Sequence, residues 1–191
     1  MTRVTLALGS NMSCGGKAPV QLLAAACDEL RNHMQRVVFS SVYKTSPMYV
    51  VQQPDFYNMV VRGDVHDSVT PYALLKKINN IEKKYGRNRK NEIRFGPRPL
   101  DIDILLFGDE TVCDSDLVIP HPRMNERAFV LVPLVEILSD CADDVIREKY
   151  AASLKLLFTQ DVQLHMDAKE FYGMLLGGSH YPFLDEAHYD R

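Results

Sequence analysis

The order in which two hydrophobic periodicities alternate along the chain limits its fold more than any single residue does. Residues 4–8, Val-Thr-Leu-Ala-Leu, make a short apolar run with strand character that stops at Gly9-Ser10-Asn11, residue types that accept turn geometry. From 19 to 34 the apolar residues Val20, Leu23, Ala24, Cys27, Leu30 and Met34 recur at helical spacing behind Pro19, which predicts an amphipathic helix. Residues 37–43 are β-branched and aromatic and read as a second strand, stopped by Ser46-Pro47. A third strand is expected over 56–61, ending at Gly63-Asp64. Thr70-Pro71 then opens a helix that runs to Tyr85, with Gly86 at the C-terminal cap. A fourth strand fits 100–107, before the turn Gly108-Asp109.

Strand, helix, strand, strand, helix, strand is the order of a ferredoxin-like βαββαβ core in the α+β class. It predicts an antiparallel sheet with helices on one face. A short strand at 117–119 and a helix at 126–138 are expected to extend that core. At 191 residues the chain fits one ordinary domain, read as 1–140 followed by a C-terminal helical extension at 141–191. In the extension acidic residues outnumber basic ones, and 150–174 carries helical apolar spacing.

Composition excludes more than it identifies. With 46% hydrophobic and 25% charged residues and a net charge of -3, the chain has neither the profile of a disordered segment nor that of a nucleic-acid-coating protein. The N-terminus has too short an apolar run for a signal peptide, and no stretch approaches the roughly 20 apolar residues of a membrane span. The expectation is a cytoplasmic monomer without membrane or nucleic-acid partners. Cys14, Cys27, Cys113 and Cys141 are too scattered to suggest a zinc site or a disulfide framework.

The chemistry concentrates in Arg98-Pro99-Leu100-Asp101-Ile102-Asp103. On a strand, Asp101 and Asp103 leave one face while Ile102 and Ile104 leave the other. Two adjacent carboxylates disfavour each other unless a cation sits between them, and hard oxygen donors suit Mg²⁺ carrying phosphate. Taken alone, the pair is more simply a solvated strand face. The upstream run Lys83, Lys84, Arg87, Arg89, Lys90, Arg94 and Arg98 adds guanidinium groups able to grip phosphate oxygens, although such runs are usually solvated too. His121, in Ile119-Pro120-His121-Pro122-Arg123, is by itself a loop histidine. Phe56 and Phe129 are either core residues or the walls of a slot for a flat ring, with Asn58 on the strand face of Phe56.

The segment from Arg94 to Leu106 resembles the signature of the 6-hydroxymethyl-7,8-dihydropterin pyrophosphokinase family of folate biosynthesis. Leu8-Gly9-Ser10-Asn11, Gln53-Pro54-Asp55-Phe56-Tyr57-Asn58, Ile81-Glu82, Gly86-Arg87 and Ile119-Pro120-His121-Pro122 are similar as well, in family order over roughly the first 140 residues. The resemblance implies transfer of pyrophosphate from ATP to the hydroxymethyl group of a reduced pterin, releasing AMP. It implies two Mg²⁺ ions on Asp101 and Asp103, with Arg87 and Arg98 steadying the transferring group. Thr45, Met48, Phe56, Asn58 and Phe129 would take the pterin, and Asn79, Glu82, Arg89, Lys90, Arg94, His121 and Arg127 the nucleotide. Ser46, Phe56, Phe95 and Asn79 depart from residues frequent in the family, and none of these departures touches a metal ligand. Two other readings stand beside this one: a nucleic-acid-binding module of the same fold, and an inactive paralogue.

Overall fold

The computed structural model describes residues 1–48, 52–88, 95–138 and 144–176. Its elements in chain order are β1 (Thr2–Ser10), α1 (Pro19–Arg31), β2 (Gln35–Phe39), β3 (Val42–Thr45), β4 (Phe56–Val65), α2 (Pro71–Lys84) and β5 (Asp101–Phe107). There follow β6 (Val112–Cys113), β7 (Val118–Ile119), a 3-10 turn (Met124–Glu126), α3 (Ala128–Ile137), α4 (Asp144–Lys155), β8 (Gln163–Met166) and α5 (Ala168–Leu175). The principal sheet is antiparallel throughout, in the order β5-β1-β4-β3-β8, with β2 also paired to β4.

Local chemistry accounts for most boundaries. Thr70 accepts a hydrogen bond from the Ala73 amide and Pro71 occupies the first turn of α2, so one free donor is satisfied and another is absent. At the other end Gly86 takes φ +92°, and a Cβ there would collide with Cys14 Sγ.

The strand expected over 37–43 is two strands. The ladder breaks at Ser40-Ser41 because tertiary partners claim the backbone there. The Ser40 hydroxyl accepts from the Val60 amide at 2.9 Å, and the Ser41 amide and hydroxyl donate to the Glu136 carboxylate of α3. The helix expected over 126–138 begins later, after the 3-10 turn.

Helices cover both faces of the sheet, not one. Leu6, Leu8, Met59, Val61, Ile102 and Ile104 pack with α1 and α2 in the larger core, whereas Val60 and Leu105 pack with α3 and α4 on the opposite face. The 141–191 segment is also not wholly helical. Within its described part, β8 joins the sheet edge at β3, and α5 sends Phe171 (0% exposed) and Tyr172 (5%) into the larger core.

Candidate active site

Three central strands bring the site residues together in register. Gly9 on β1 lies opposite Asn58 on β4 and opposite Asp101 on β5, and Ala7 lies opposite Asp103. Strand alternation turns Phe56, Asn58, Asp101 and Asp103 to the face that carries α3. That helix covers one end of the face and leaves a cavity of about 280 Å³ at the other. Gly9 keeps the cavity floor open, since a Cβ on it would lie 3.1 Å from Asn58 Oδ1.

Asp101 is held by two cations. Arg98 Nη1 donates to its Oδ2 at 2.7 Å, and Arg87 Nη1 donates to its Oδ1. Arg87 is itself fixed from behind by Glu82, whose Oε1 accepts from it at 2.5 Å and from the Ile102 amide at 2.9 Å. Arg98 is set by its backbone: its amide donates to Asn11 Oδ1 at 2.8 Å, and its carbonyl accepts from the Asn11 amide at 3.1 Å. Ser10 Oγ donates to the Pro99 carbonyl, which pins the same turn.

Asp103 carries the less compensated charge. Its side chain is 40% accessible, yet it opens into the concave floor rather than into bulk water. Desolvation there, with the Asp101 carboxylate beside it, pushes its carboxyl up to about 7. His121 Nε2 stands 3.8 Å from Asp103 Oδ2. The ring is placed by the His121 amide, which donates to the Leu105 carbonyl at 3.0 Å. Burial, then the nearby Arg127 cation, pushes the imidazole down to about 4, so it is neutral at pH 7. Its Nδ1 accepts from the Arg123 amide at 3.2 Å, which assigns the remaining proton to Nε2.

Arg127 lies over the Phe129 ring at 5.6 Å, and its buried Nε has no acceptor among the described residues. An orphaned buried donor costs about 1–3 kcal/mol. On the opposite wall Arg98 lies over the Phe56 ring at 5.9 Å, and the Asn58 amide donates to Thr45 Oγ1 at 2.9 Å. Asn58 Oδ1 is therefore the part of that side chain directed toward Gly9.

The cavity gathers eleven of the residues expected from sequence: Thr45, Met48, Phe56, Asn58, Arg87, Arg98, Asp101, Asp103, His121, Arg127 and Phe129. Glu82 is 1% exposed and stands behind Arg87, where it positions that residue and does not line the cavity. Asn79 is exposed on α2 and is not among the lining residues. Arg89, Lys90 and Arg94 lie outside the described residues. Gly9, Gln53 and Phe95 also line the cavity without having been read as site residues, and Asn11 supports it by linking Arg98, Gln53 and Pro54. The signal for Gly9 and Asn11 lay in Leu8-Gly9-Ser10-Asn11, whose conformational reading as a turn missed that β1 continues through Ser10.

Among the described residues no group of three or more His, Cys, Asp or Glu is arranged to hold a metal. The pair Asp101 and Asp103 nevertheless suits Mg²⁺, which keeps water and substrate phosphates as most of its ligands and needs only one or two carboxylates from the protein.

A family model described as 7,8-dihydro-6-hydroxymethylpterin-pyrophosphokinase (HPPK) matches residues 5–139. The chain is 42% identical to the 2-amino-4-hydroxy-6-hydroxymethyldihydropteridine pyrophosphokinase of Bacillus subtilis, over 69% of this chain and 75% of that one. Identity to the Haemophilus influenzae protein of the same name is 39%, over 73% and 84%. A folate synthesis bifunctional protein of Arabidopsis thaliana is 38% identical over 78% of this chain, which spans only 29% of the plant protein. The wild-type Plasmodium falciparum HPPK-DHPS structure with STZ-DHP shares the fold at a TM-score of 0.57 and 16% identity, over 83% of this chain and 45% of that one.

Proposed function

Because the chain belongs to the 7,8-dihydro-6-hydroxymethylpterin-pyrophosphokinase family, we propose that it transfers the β,γ-pyrophosphoryl unit of ATP to the hydroxymethyl group of 6-hydroxymethyl-7,8-dihydropterin, releasing AMP. The observation that carries the proposal is the shared cavity, which Asp101, Asp103 and Arg127 line together with Phe56 and Phe129. Neither a nucleic-acid-binding module nor an inactive paralogue is favoured by relatives that are themselves named as pyrophosphokinases.

In this reading Phe56 and Phe129 flank the pterin and Asn58 reads its edge, with Thr45 holding the Asn58 amide and Met48 closing the wall. Arg127 offers its guanidinium to the nucleotide phosphates, and neutral His121 donates from Nε2 without adding charge. Arg87 and Arg98 neutralise Asp101 until a cation takes that role, and then face the transferring phosphates. Two Mg²⁺ ions, held by Asp101 and Asp103, would neutralise phosphate oxygens and favour the ionised form of the attacking hydroxyl. The family resemblance would add Arg89, Lys90, Arg94 and Asn79 to the nucleotide-binding residues. The strand order β5-β1-β4-β3, with β8 added at the edge, supports reading the core as ferredoxin-like. We place the protein in the cytoplasm as a monomer; among the described residues Cys14, Cys27 and Cys113 are free thiols, in keeping with a reducing compartment. Among the described residues no helix is long and apolar enough to cross a membrane.

The test is incubation with ATP, Mg²⁺ and 6-hydroxymethyl-7,8-dihydropterin, with AMP as the readout. Asp101→Ala and Asp103→Ala are each expected to lower turnover by several orders of magnitude with the fold intact. Wild-type AMP production by both variants would sink the metal assignment.

A further inference from the structure

Beyond the family-matched residues 5–139, the turn that follows α4 places Gln160 against the start of α3. Gln160 Oε1 accepts from the Ala128 amide at 2.8 Å, and its Nε2 donates to the Glu126 carbonyl at 2.9 Å. Ala128 opens α3, so its amide belongs to the first turn, where donors lack intrahelical partners. The residue in the N-cap position, Arg127, makes no side-chain capping bond to this helix. Gln160 therefore caps the helix from 32 residues away in sequence.

The capped segment is the one that carries Arg127 and Phe129 into the cavity, and Arg127 is bracketed on both sides by the two bonded backbone groups. A second hollow of about 190 Å³ is bordered by Thr159 and Gln160 on one side and by Thr45, Met48 and Phe129 on the other. The extension thus lies directly behind the pterin wall. The turn is itself anchored, because the Gln160 amide donates to the Leu157 carbonyl at 3.0 Å. Further on, Tyr172 Oη accepts from the Phe39 amide at 2.9 Å, and the Ala168 amide donates to Ser41 Oγ at 3.1 Å.

We propose that Gln160 is a positioning residue for substrate binding, which fixes the Arg127 and Phe129 segment and makes the C-terminal extension a working part of the site. The inference rests on the pyrophosphokinase reading for its kinetic consequence, but not for its structural one. Phe129 and Arg127 contact substrate before and during reaction alike, so loosening them weakens uniform binding and raises KM with little change in kcat.

The experiment compares the full chain with Gln160→Ala, Gln160→Glu and the neighbouring Thr159→Ala. Gln160→Ala is expected to raise KM for the pterin about tenfold, as the loss of two ordinary hydrogen bonds allows, with kcat within about threefold of wild type. Gln160→Glu keeps an acceptor for the Ala128 amide and should recover part of that loss, and Thr159→Ala should leave KM alone. Hydrogen exchange at the Ala128 amide, read without substrates, should accelerate about tenfold in Gln160→Ala by the same reasoning. Wild-type KM in folded Gln160→Ala, or an unchanged Ala128 exchange rate, overturns the proposal. If Gln160→Ala does not fold, Gln160→Glu carries the same comparison. A wild-type protein that yields no AMP refutes the activity reading instead, and the exchange measurement still decides the positioning role.

Discussion

Removing the Glu82 carboxylate separates two roles that the residue type permits, a nucleotide ligand and a buried brace. The side chain is 1% exposed, and its Oε1 accepts from Arg87 Nη1 at 2.5 Å and from the Ile102 amide at 2.9 Å. Glu82→Ala leaves a buried amide without that acceptor, at about 1–3 kcal/mol, and severing a buried ion pair costs about 3–5 kcal/mol when the surviving charge has no other partner. Arg87 keeps Asp101, so the ion-pair loss falls below that range and the sum is about 3 kcal/mol. For a chain of this size that corresponds to a fall in Tm of roughly 6–12 °C, at about 2–4 °C per kcal/mol. Glu82→Gln preserves an acceptor for the Ile102 amide and should lose only about 1–2 kcal/mol. The sequence holds no tryptophan, so urea unfolding followed by far-UV circular dichroism is the suitable assay. A loss below about 1 kcal/mol in Glu82→Ala, accompanied by abolished binding of a non-hydrolysable ATP analogue, would refute the brace and make Glu82 a direct nucleotide ligand.

Three further outcomes follow from the same geometry. Gly9→Ala places a Cβ 3.1 Å from Asn58 Oδ1, and the displaced amide should raise KM for the pterin about tenfold, or about 1.4 kcal/mol, in steady-state assays; an unchanged KM contradicts the role given to this opening. The Asp103 carboxyl titrates near 7 in the fold against an ordinary 3.8, so the unfolded chain gives up this proton first and stability falls as pH rises between those values. Urea midpoints should show that Asp103→Asn flattens the decline between pH 5 and pH 8, and an unaltered slope would disprove it. Cys27 is fully buried and its thiol is pushed far up by burial, so iodoacetamide and peptide mapping at pH 8 should find it unmodified in the native protein while exposed Cys113 reacts.

The sequence by itself determined what neighbouring residues share. Period-two alternation set Asp101 and Asp103 on one strand face and Phe56 with Asn58 on another, and both pairs line the same cavity. Thr70-Pro71 and Gly86 marked the ends of α2 because capping is a property of a few consecutive residues. The tertiary structure decided everything that depends on a distant partner. The break at Ser40-Ser41 needs Glu136, and the side of the sheet taken by α3 was hidden because AFVLVPLVEI is apolar nearly all round and shows no stripe. Burial of Glu82 was equally hidden, since a carboxylate that braces an arginine and one that meets a nucleotide are the same letter. The tail shows the limit most clearly: QLHM has no strong strand signal and Gln160 no motif, yet the sheet edge recruits the first and the first turn of α3 recruits the second. Local periodicity fixes which way side chains point, and only the closing of long-range contacts fixes what they meet.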